Sequence, residues 1–163
     1  MEHFRKNVGI VVFNKNKQVL VCARADKKND AWQFPQGGIN DGENFVDAAT
    51  RELREETALT SVKVVSTIDH GIKYRFPPSI LQKMKHVGIF NVGQEQWWVL
   101  CYFYGKDSEI NFYQYPEEVE FKDYQWVDIR EAVARIVSFK KEVYQVVADT
   151  FEPVIKNFRD DEK

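Results

Sequence analysis

Cysteine and histidine are scarce in this sequence, and so are long apolar runs. The two cysteines, Cys22 and Cys101, each stand inside an apolar, strand-like segment. A free thiol in such a place behaves as a small buried hydrophobe, which excludes a disulfide framework. The histidines, His3, His70 and His86, are scattered without metal-ligand spacing, so none is assigned to a metal. The longest apolar runs, residues 8–13 and 97–104, are too short to span a bilayer. A formal net charge of −2 leaves no surplus of basic groups for gripping nucleic acid across a whole face. DNA binding is excluded on that ground, and any RNA contact has to be local. Low-complexity tracts and internal repeats are lacking too. We expect a soluble, cytoplasmic protein that makes no membrane contact and acts as a monomer, with at most a protein activator beside it.

What is present is the composition of a folded core, 44% hydrophobic and 14% aromatic. The length suits one core of ordinary size, so residues 1–163 are read as one domain with a disordered tail from Arg159 onward. A β-branched run over 8–13 and a second apolar run over 18–24 flank the turn-like Asn14-Lys15-Asn16-Lys17, the pattern of two strands joined tightly. A short strand is expected over 31–34, an extended segment over 62–74 closed by Phe76-Pro77-Pro78, and buried strands over 96–104 and 124–127. Residues 79–85 suit a helical turn and a mobile loop equally. Helical spacing marks 131–137 and 140–158, the latter through Val143, Val146, Val147, Thr150, Phe151 and Ile155, with Pro153 expected to kink or end it.

The most informative stretch is residues 37–59, GGINDGENFVDAATRELREETAL. Asn44 is placed to cap a helix, with Asp47 as the acid three residues on, and the helix should run to about Thr57. At 100° per residue Phe45, Ala49 and Leu53 form its apolar stripe, while Asp47 and Arg54 face water. Glu52 and Glu56 project from the edge of that stripe one turn apart, and Glu55 lies three residues from Glu52, so three carboxylates converge. Like charges held that close repel, and each raises the pKa of the others unless a cation sits between them. Hard carboxylate oxygens suit Mg²⁺ or Mn²⁺. Gly37 and Gly38 allow positive φ and close backbone approach to a ligand oxygen. An isolated Arg-Glu-Leu-Arg-Glu-Glu segment is ordinarily a salt-bridged surface helix, here with Arg51 pairing Asp47 and Glu55. The whole string argues for more.

That string resembles the Nudix box: Gly, five residues, Glu, seven residues, Arg-Glu-apolar, one residue, Glu-Glu, one residue, Gly-apolar. Gly37, Glu43, Arg51, Glu52, Leu53, Glu55, Glu56 and Leu59 match in register, and Ala58 stands where the box has its last glycine. Further segments, Arg5-Lys6-Asn7-Val8-Gly9, Trp32 to Gly38, Gly93-Gln94-Glu95-Gln96-Trp97 and Ser138-Phe139-Lys140, resemble one Nudix branch. It holds bacterial RNA 5′-pyrophosphohydrolases and the related dinucleoside tetraphosphate hydrolases.

The resemblance implies an α/β fold, an α/β/α sandwich with a mixed sheet, which also agrees with strands enclosing one box helix and further helices outside. It implies Mg²⁺, with Mn²⁺ as a substitute, held by Glu52, Glu55, Glu56, Glu120 and Gly37. Glu56 and Glu55 are the candidate bases, Arg51 orients the carboxylates, and Glu43 and Leu53 are structural. Arg5, Gln36, Gly38, Tyr74, Ser138, Phe139 and Lys140 are the substrate-binding candidates. Lysines at the start of the last helix oppose its macrodipole, a conflict that a bound phosphate would relieve. Phe139, Tyr74 and Phe76 suit base stacking and core packing equally. Two departures matter: Ala25 stands where the branch's RNA enzymes often carry a second Arg, and Trp97 where a Lys is common. The implied activity is hydrolysis of the 5′ end of triphosphorylated RNA to a 5′-monophosphate, which promotes RNA decay. The alternative substrate is diadenosine tetraphosphate or another dinucleoside polyphosphate, and the rival of another class is a non-catalytic nucleotide- or RNA-binding module.

Overall fold

In the computed structural model, which describes residues 2–26 and 31–160, the apolar run at residues 8–13 becomes the centre of a sheet. Strand β1 (Phe4–Phe13) pairs in parallel with β6 (Gly93–Phe103) along its whole length, from Phe4 opposite Gly93 to Phe13 opposite Tyr102. Its other edge is shared. The Phe13 end pairs antiparallel with β2 (Val19–Arg24), and Asn7, Val8 and Gly9 pair antiparallel with β4 (Gln36–Gly38). Two further strands, β3 (Trp32–Gln33) and β7 (Phe121–Val127), pair with β2, and β5 (Val62–Arg75) pairs with β6. The seven-stranded sheet is therefore mixed, as expected.

Strand alternation divides the core into two layers. Val8, Ile10, Val12, Val99 and Cys101 face helix α1 (Phe45–Thr57) and meet Ala48, Ala49 and Leu53. Val11, Phe13, Trp98, Leu100 and Tyr102 face the other way, against α3 (Ile129–Arg135) and α4 (Lys141–Asn157), where Val143, Tyr144, Val147 and Phe151 are buried. Helices thus cover both faces. The aromatics interlock on the α4 side, with Phe34 stacked on Tyr144 at 4.7 Å and edge-on to Trp98 at 5.9 Å. The Tyr144 hydroxyl accepts the Phe34 N–H at 2.9 Å, so this buried polar tip is satisfied. Cys22 and Cys101 are free and buried.

Several expectations need correction. Gly37 and Gly38 belong to a strand and have no positive φ, because β4 adds to the edge of β1. Of the two alternatives open for residues 79–85 the helical one holds: they fall within α2 (Pro78–His86), begun by Pro78 at its first turn, although it buries none of its residues. Pro153 does not end α4, which runs on to Asn157. The carbonyl that loses its donor belongs to Asp149, and both residues are exposed, so water can satisfy it. Val146 and Thr150 lie on the exposed face of α4. Of the tail expected to be disordered, Asp160 is placed 3.5 Å from Lys63, and residues 161–163 lie outside the described residues. Ser138–Lys140 forms a separate 3-10 turn ahead of α4. Lys140 is buried rather than solvent-facing, with its ammonium 5.7 Å from the Tyr74 ring.

The helix that carries the box ends as its sequence pattern suggests. Asn44 accepts the Asp47 N–H at 2.9 Å, and Ala58 takes the left-handed conformation at φ 70°, its N–H donating to the Arg54 carbonyl. Alanine carries a Cβ into a region that glycine enters freely. Ala58→Gly should therefore stabilise the fold by roughly 0.5–1 kcal/mol, even after the greater entropy of the unfolded glycine is counted, and a denaturant midpoint that rises without a change in slope checks this.

Lys140 supplies a second prediction. Burial lowers its pKa to about 8, with the Arg24 charge adding to the effect. Because the folded value lies below that of an unfolded lysine, the unfolded chain binds more protons between about pH 8 and 10.5, and stability should rise with pH across that window. Lys140→Met should raise the stability measured by denaturant unfolding at pH 7 by more than about 1 kcal/mol, and flatten the pH dependence in the same range.

Candidate active site

Five elements bring acids and amides to one open pocket of about 680 Å³: α1, β4, the starts of β1 and β6, and the chain entering β7. Arg5, Asn7, Gln36, Gly37, Gly38, Glu52, Glu55, Glu56, Gln94, Tyr115, Glu118 and Glu120 line it. Among these are all four proposed carboxylate ligands and the candidates Arg5, Gln36, Gly37 and Gly38.

Arg51 is the hinge of the arrangement. Its Nε and one terminal nitrogen donate to the two Glu43 oxygens, both at 2.9 Å, and the same terminal nitrogen donates to the Gly38 carbonyl at 2.9 Å. The other terminal nitrogen reaches Glu52 at 2.9 Å and Glu55 at 3.2 Å. A planar guanidinium with five donors is suited to such a fan of contacts, and lysine is not. The Arg51 fork and the Asn40 N–H hold the Glu43 carboxyl down at about 2, and Arg51 in turn is raised by Glu43 and Glu52. Glu43 thus ties the loop to the helix. Arg51 does not pair with Asp47, whose carboxylate accepts from the Asn44 amide.

Gly37 is required by space. A Cβ built there would lie 2.1 Å from the Glu52 carboxyl carbon, and one on Gly38 would lie 2.8 Å from the Arg5 guanidinium. Close approach, and not backbone conformation, is the reason for Gly37, whereas at Gly38 the tip of the Arg5 side chain could move aside.

The acids are not yet arranged as a cage. Among the described residues no three His, Cys, Asp or Glu side chains are spaced to hold a metal ion. Helical spacing alone suggested that they would be. One oxygen each of Glu52 and Glu55 is turned to Arg51 instead. Burial raises Glu52, and burial with the charges of Glu120 and Glu52 pushes Glu56 up to about 10. Protonated Glu56 then stands beside Glu52 and can share its proton with it. The buried Glu56 Oε2 has no protein donor. A cation would fill the place of that proton, and hard oxygen donors with one oxygen left over fit Mg²⁺ or Mn²⁺.

The remaining candidates lie next to the pocket and not in it. Tyr74 is buried and donates to the Gln94 Oε1, which connects it to the pocket wall. Its ring meets Phe76 and Phe139 at 5.8 and 5.9 Å. Phe139 and Lys140 line a second cavity of about 380 Å³ with Arg24, Trp32 and Ile80, whereas Ser138 is exposed. Arg24 there has a buried Nε without a partner. Trp97, in the place of the common Lys, lies 6.0 Å from the Lys6 ammonium. A carboxamide chain was not foreseen: the Gln96 amide nitrogen donates to Asn7 at 2.8 Å and to Gln36 at 3.0 Å. Its signal was the Gln94-x-Gln96 alternation, which puts two amides on one face of β6. Tyr115 left no motif to find, and Glu118 belongs to the acidic run Glu117, Glu118 and Glu120, which reads as an ordinary solvated loop.

Comparison with known proteins gives the family. Residues 3–147 match the model of the NUDIX domain. The chain is 40% identical over 152 residues to Nudix hydrolase 26, chloroplastic, of Arabidopsis thaliana, covering 92% of this chain and 70% of that protein. It is 36% identical over 154 residues to the RNA pyrophosphohydrolase of Pelagibacter ubique, covering 93% of each. Among solved structures it is similar to the E. coli dihydroneopterin triphosphate pyrophosphohydrolase, with a TM-score of 0.67 at 18% identity, over 91% of this chain and 99% of that one. At that identity the likeness shows the fold alone. A family match across most of the length, together with the box residues gathered around one pocket, means that the chain belongs to the Nudix family.

Proposed function

We propose that this chain is a cytoplasmic, Mg²⁺-dependent pyrophosphohydrolase that acts on the 5′ end of triphosphorylated RNA and leaves a 5′-monophosphate. The observation that carries the reading is the unpartnered, buried Oε2 of Glu56 among Glu52, Glu55 and Glu120. A module that merely bound an anionic ligand would gain nothing from acids in that place. Similarity to the Pelagibacter enzyme supports RNA as the substrate class, and no helix among the described residues is long and apolar enough to cross a membrane.

Glu52, Glu55, Glu56 and Glu120, with the Gly37 carbonyl, would hold the metal. When bound, Mg²⁺ neutralises the polyphosphate and lowers the pKa of an attacking water. The protein's own part is positioning and proton transfer, which suffices for phosphoryl transfer without a covalent nucleophile. Arg51 holds Glu52 and Glu55 at set angles. Arg5 and the Gln36 amide face the pocket as phosphate contacts, beside the Gly38 backbone. Glu55 and Glu56 are the candidate acceptors of the water's proton, each with an oxygen that Arg51 does not engage. Tyr74, Phe139 and Lys140 hold the nucleoside side, with Ser138 at its rim.

A second reading has its own support. Ala25 and Trp97 remove two cations that an RNA enzyme of this branch would use, and the Phe76-Pro77-Pro78 string resembles the dinucleoside tetraphosphate hydrolases. Dinucleoside polyphosphates are therefore the runner-up substrates.

The metal site can be tested by turnover against titrated Mg²⁺, with circular dichroism in parallel. Glu52→Gln and Glu56→Gln should each remain folded and lose about 10²–10⁴ in rate. Gly37→Ala should lose about 10²-fold, because its methyl displaces the Glu52 carboxylate. Near-normal turnover in all three variants would refute the assignment. Substrate choice is settled by competing triphosphorylated RNA against diadenosine tetraphosphate at equal concentration. The RNA should be consumed faster, and exclusive consumption of the dinucleotide would reverse the ranking.

A further inference from the structure

The pocket has one wall that the mechanism leaves unused. Between β6 and β7 the chain passes beneath the C-terminal end of α1 and is fastened there. The Asn111 N–H donates to the Thr57 carbonyl at 2.9 Å, and the Gln114 amide donates to the carbonyls of Arg54 and Glu55 at 2.5 and 2.9 Å. The last carbonyls of a helix have no partner within it, so this loop caps the helix that carries the catalytic acids. Tyr115 follows directly. Its carbonyl accepts the Glu118 N–H at 2.9 Å, closing a turn, and its side chain lines the pocket beside Glu118 and Glu120.

The Tyr115 ring is half exposed, at 50%, and has no ring or cation partner among the described residues. A large aromatic left bare on a pocket wall offers a π-face to a planar ligand. The acids around it discriminate among ligands. A phosphate would be repelled by Glu118, whereas a neutral nucleobase would not. Arg5 and Gln94 mark a different wall, the one adjoining Tyr74, and supply the cation and the amide that phosphates and the first nucleoside need.

We propose that Tyr115 is the stacking platform for a second nucleobase, the one at the far end of a dinucleoside polyphosphate whose phosphate chain crosses the carboxylates. This rests on the reading of the pocket as a polyphosphate site and adds a specificity element to it. The fastening of Gln114 to α1 holds the platform at a fixed distance from Glu55 and Glu56, so the phosphate chain between base and metal has a preferred length.

The test compares two substrates that differ by one nucleoside, diadenosine tetraphosphate and adenosine 5′-tetraphosphate, each with saturating Mg²⁺. Tyr115→Ala should raise KM for the dinucleotide about tenfold, change kcat by less than about twofold, and leave KM for adenosine tetraphosphate unaltered. Tyr115→Trp should restore the wild-type KM for the dinucleotide or lower it. An equal rise in KM for both substrates would make Tyr115 a structural residue, and no rise for either would make it a bystander. Each result overturns the proposal. Wild-type protein that hydrolyses triphosphorylated RNA and not diadenosine tetraphosphate also overturns it, and leaves the RNA reading standing. Wild-type protein that hydrolyses none of the three substrates overturns both.

Discussion

The site depends on the contacts of one guanidinium. Four carboxylates on a helix and an adjoining loop would drive each other apart, and Arg51 holds Glu43, Glu52 and Glu55 together while it reaches the Gly38 carbonyl of β4. Two consequences follow from the geometry. Glu43 is fully committed to Arg51, so the loop over residues 39–44 is anchored to the helix through a paired charge that is screened little at this half-buried position. Glu56, outside the reach of Arg51, is left to be neutralised by something else. Glu52 and Glu55 each give only one oxygen to Arg51, so their other oxygens stay clear of its hold.

Behind the acids the sheet provides a second kind of order. Asn7, Gln94 and Gln96 are buried carboxamides, and the contacts from Gln96 to Asn7 and Gln36 and from Tyr74 to Gln94 satisfy them in a place where a lone amide would be costly. The network connects the aromatic cluster of Tyr74, Phe76 and Phe139 to the wall of the pocket. Lys140 is the exception. It is buried over the Tyr74 ring near Arg24, whose own charge is met by Asp26 at 2.6 Å. Stability is given up there, as is common where a ligand completes the charge balance.

What could be read from the sequence was local. The capping of α1 by Asn44, the apolar seam of Ala49 and Leu53, the Ala58 cap and the strand runs of β1 and β2 are each written in neighbouring residues. The errors concern partners distant in the chain. Positive φ was allowed for Gly37 and Gly38 because nothing near them announces that β1 will accept a third strand on its edge. Arg51 was assigned to Asp47 by helical spacing, whereas Glu43, eight residues away across a loop, wins through its two-pronged geometry. Pro153 was given a break because the rule concerns buried carbonyls and the one concerned faces water. Tyr115 and Gln114 carry no motif. Their importance comes from the end of α1, sixty residues earlier in the chain.

The parallel pairing of β1 with β6 bears on the birth of the protein. Each residue of β1 meets a partner 89 positions further on, as Asn7 and Gln96 illustrate. During synthesis β1 therefore leaves the ribosome with one edge lacking its mate, while the box helix is already able to form. Until β6 is made, α1 has half a floor to pack on, and a truncated nascent chain exposes an unpaired strand of the sort that sticks to its neighbours. Folding of this sheet is thereby tied to synthesis of β6, and chaperones that cover bare strands have their clearest target in residues 8–13.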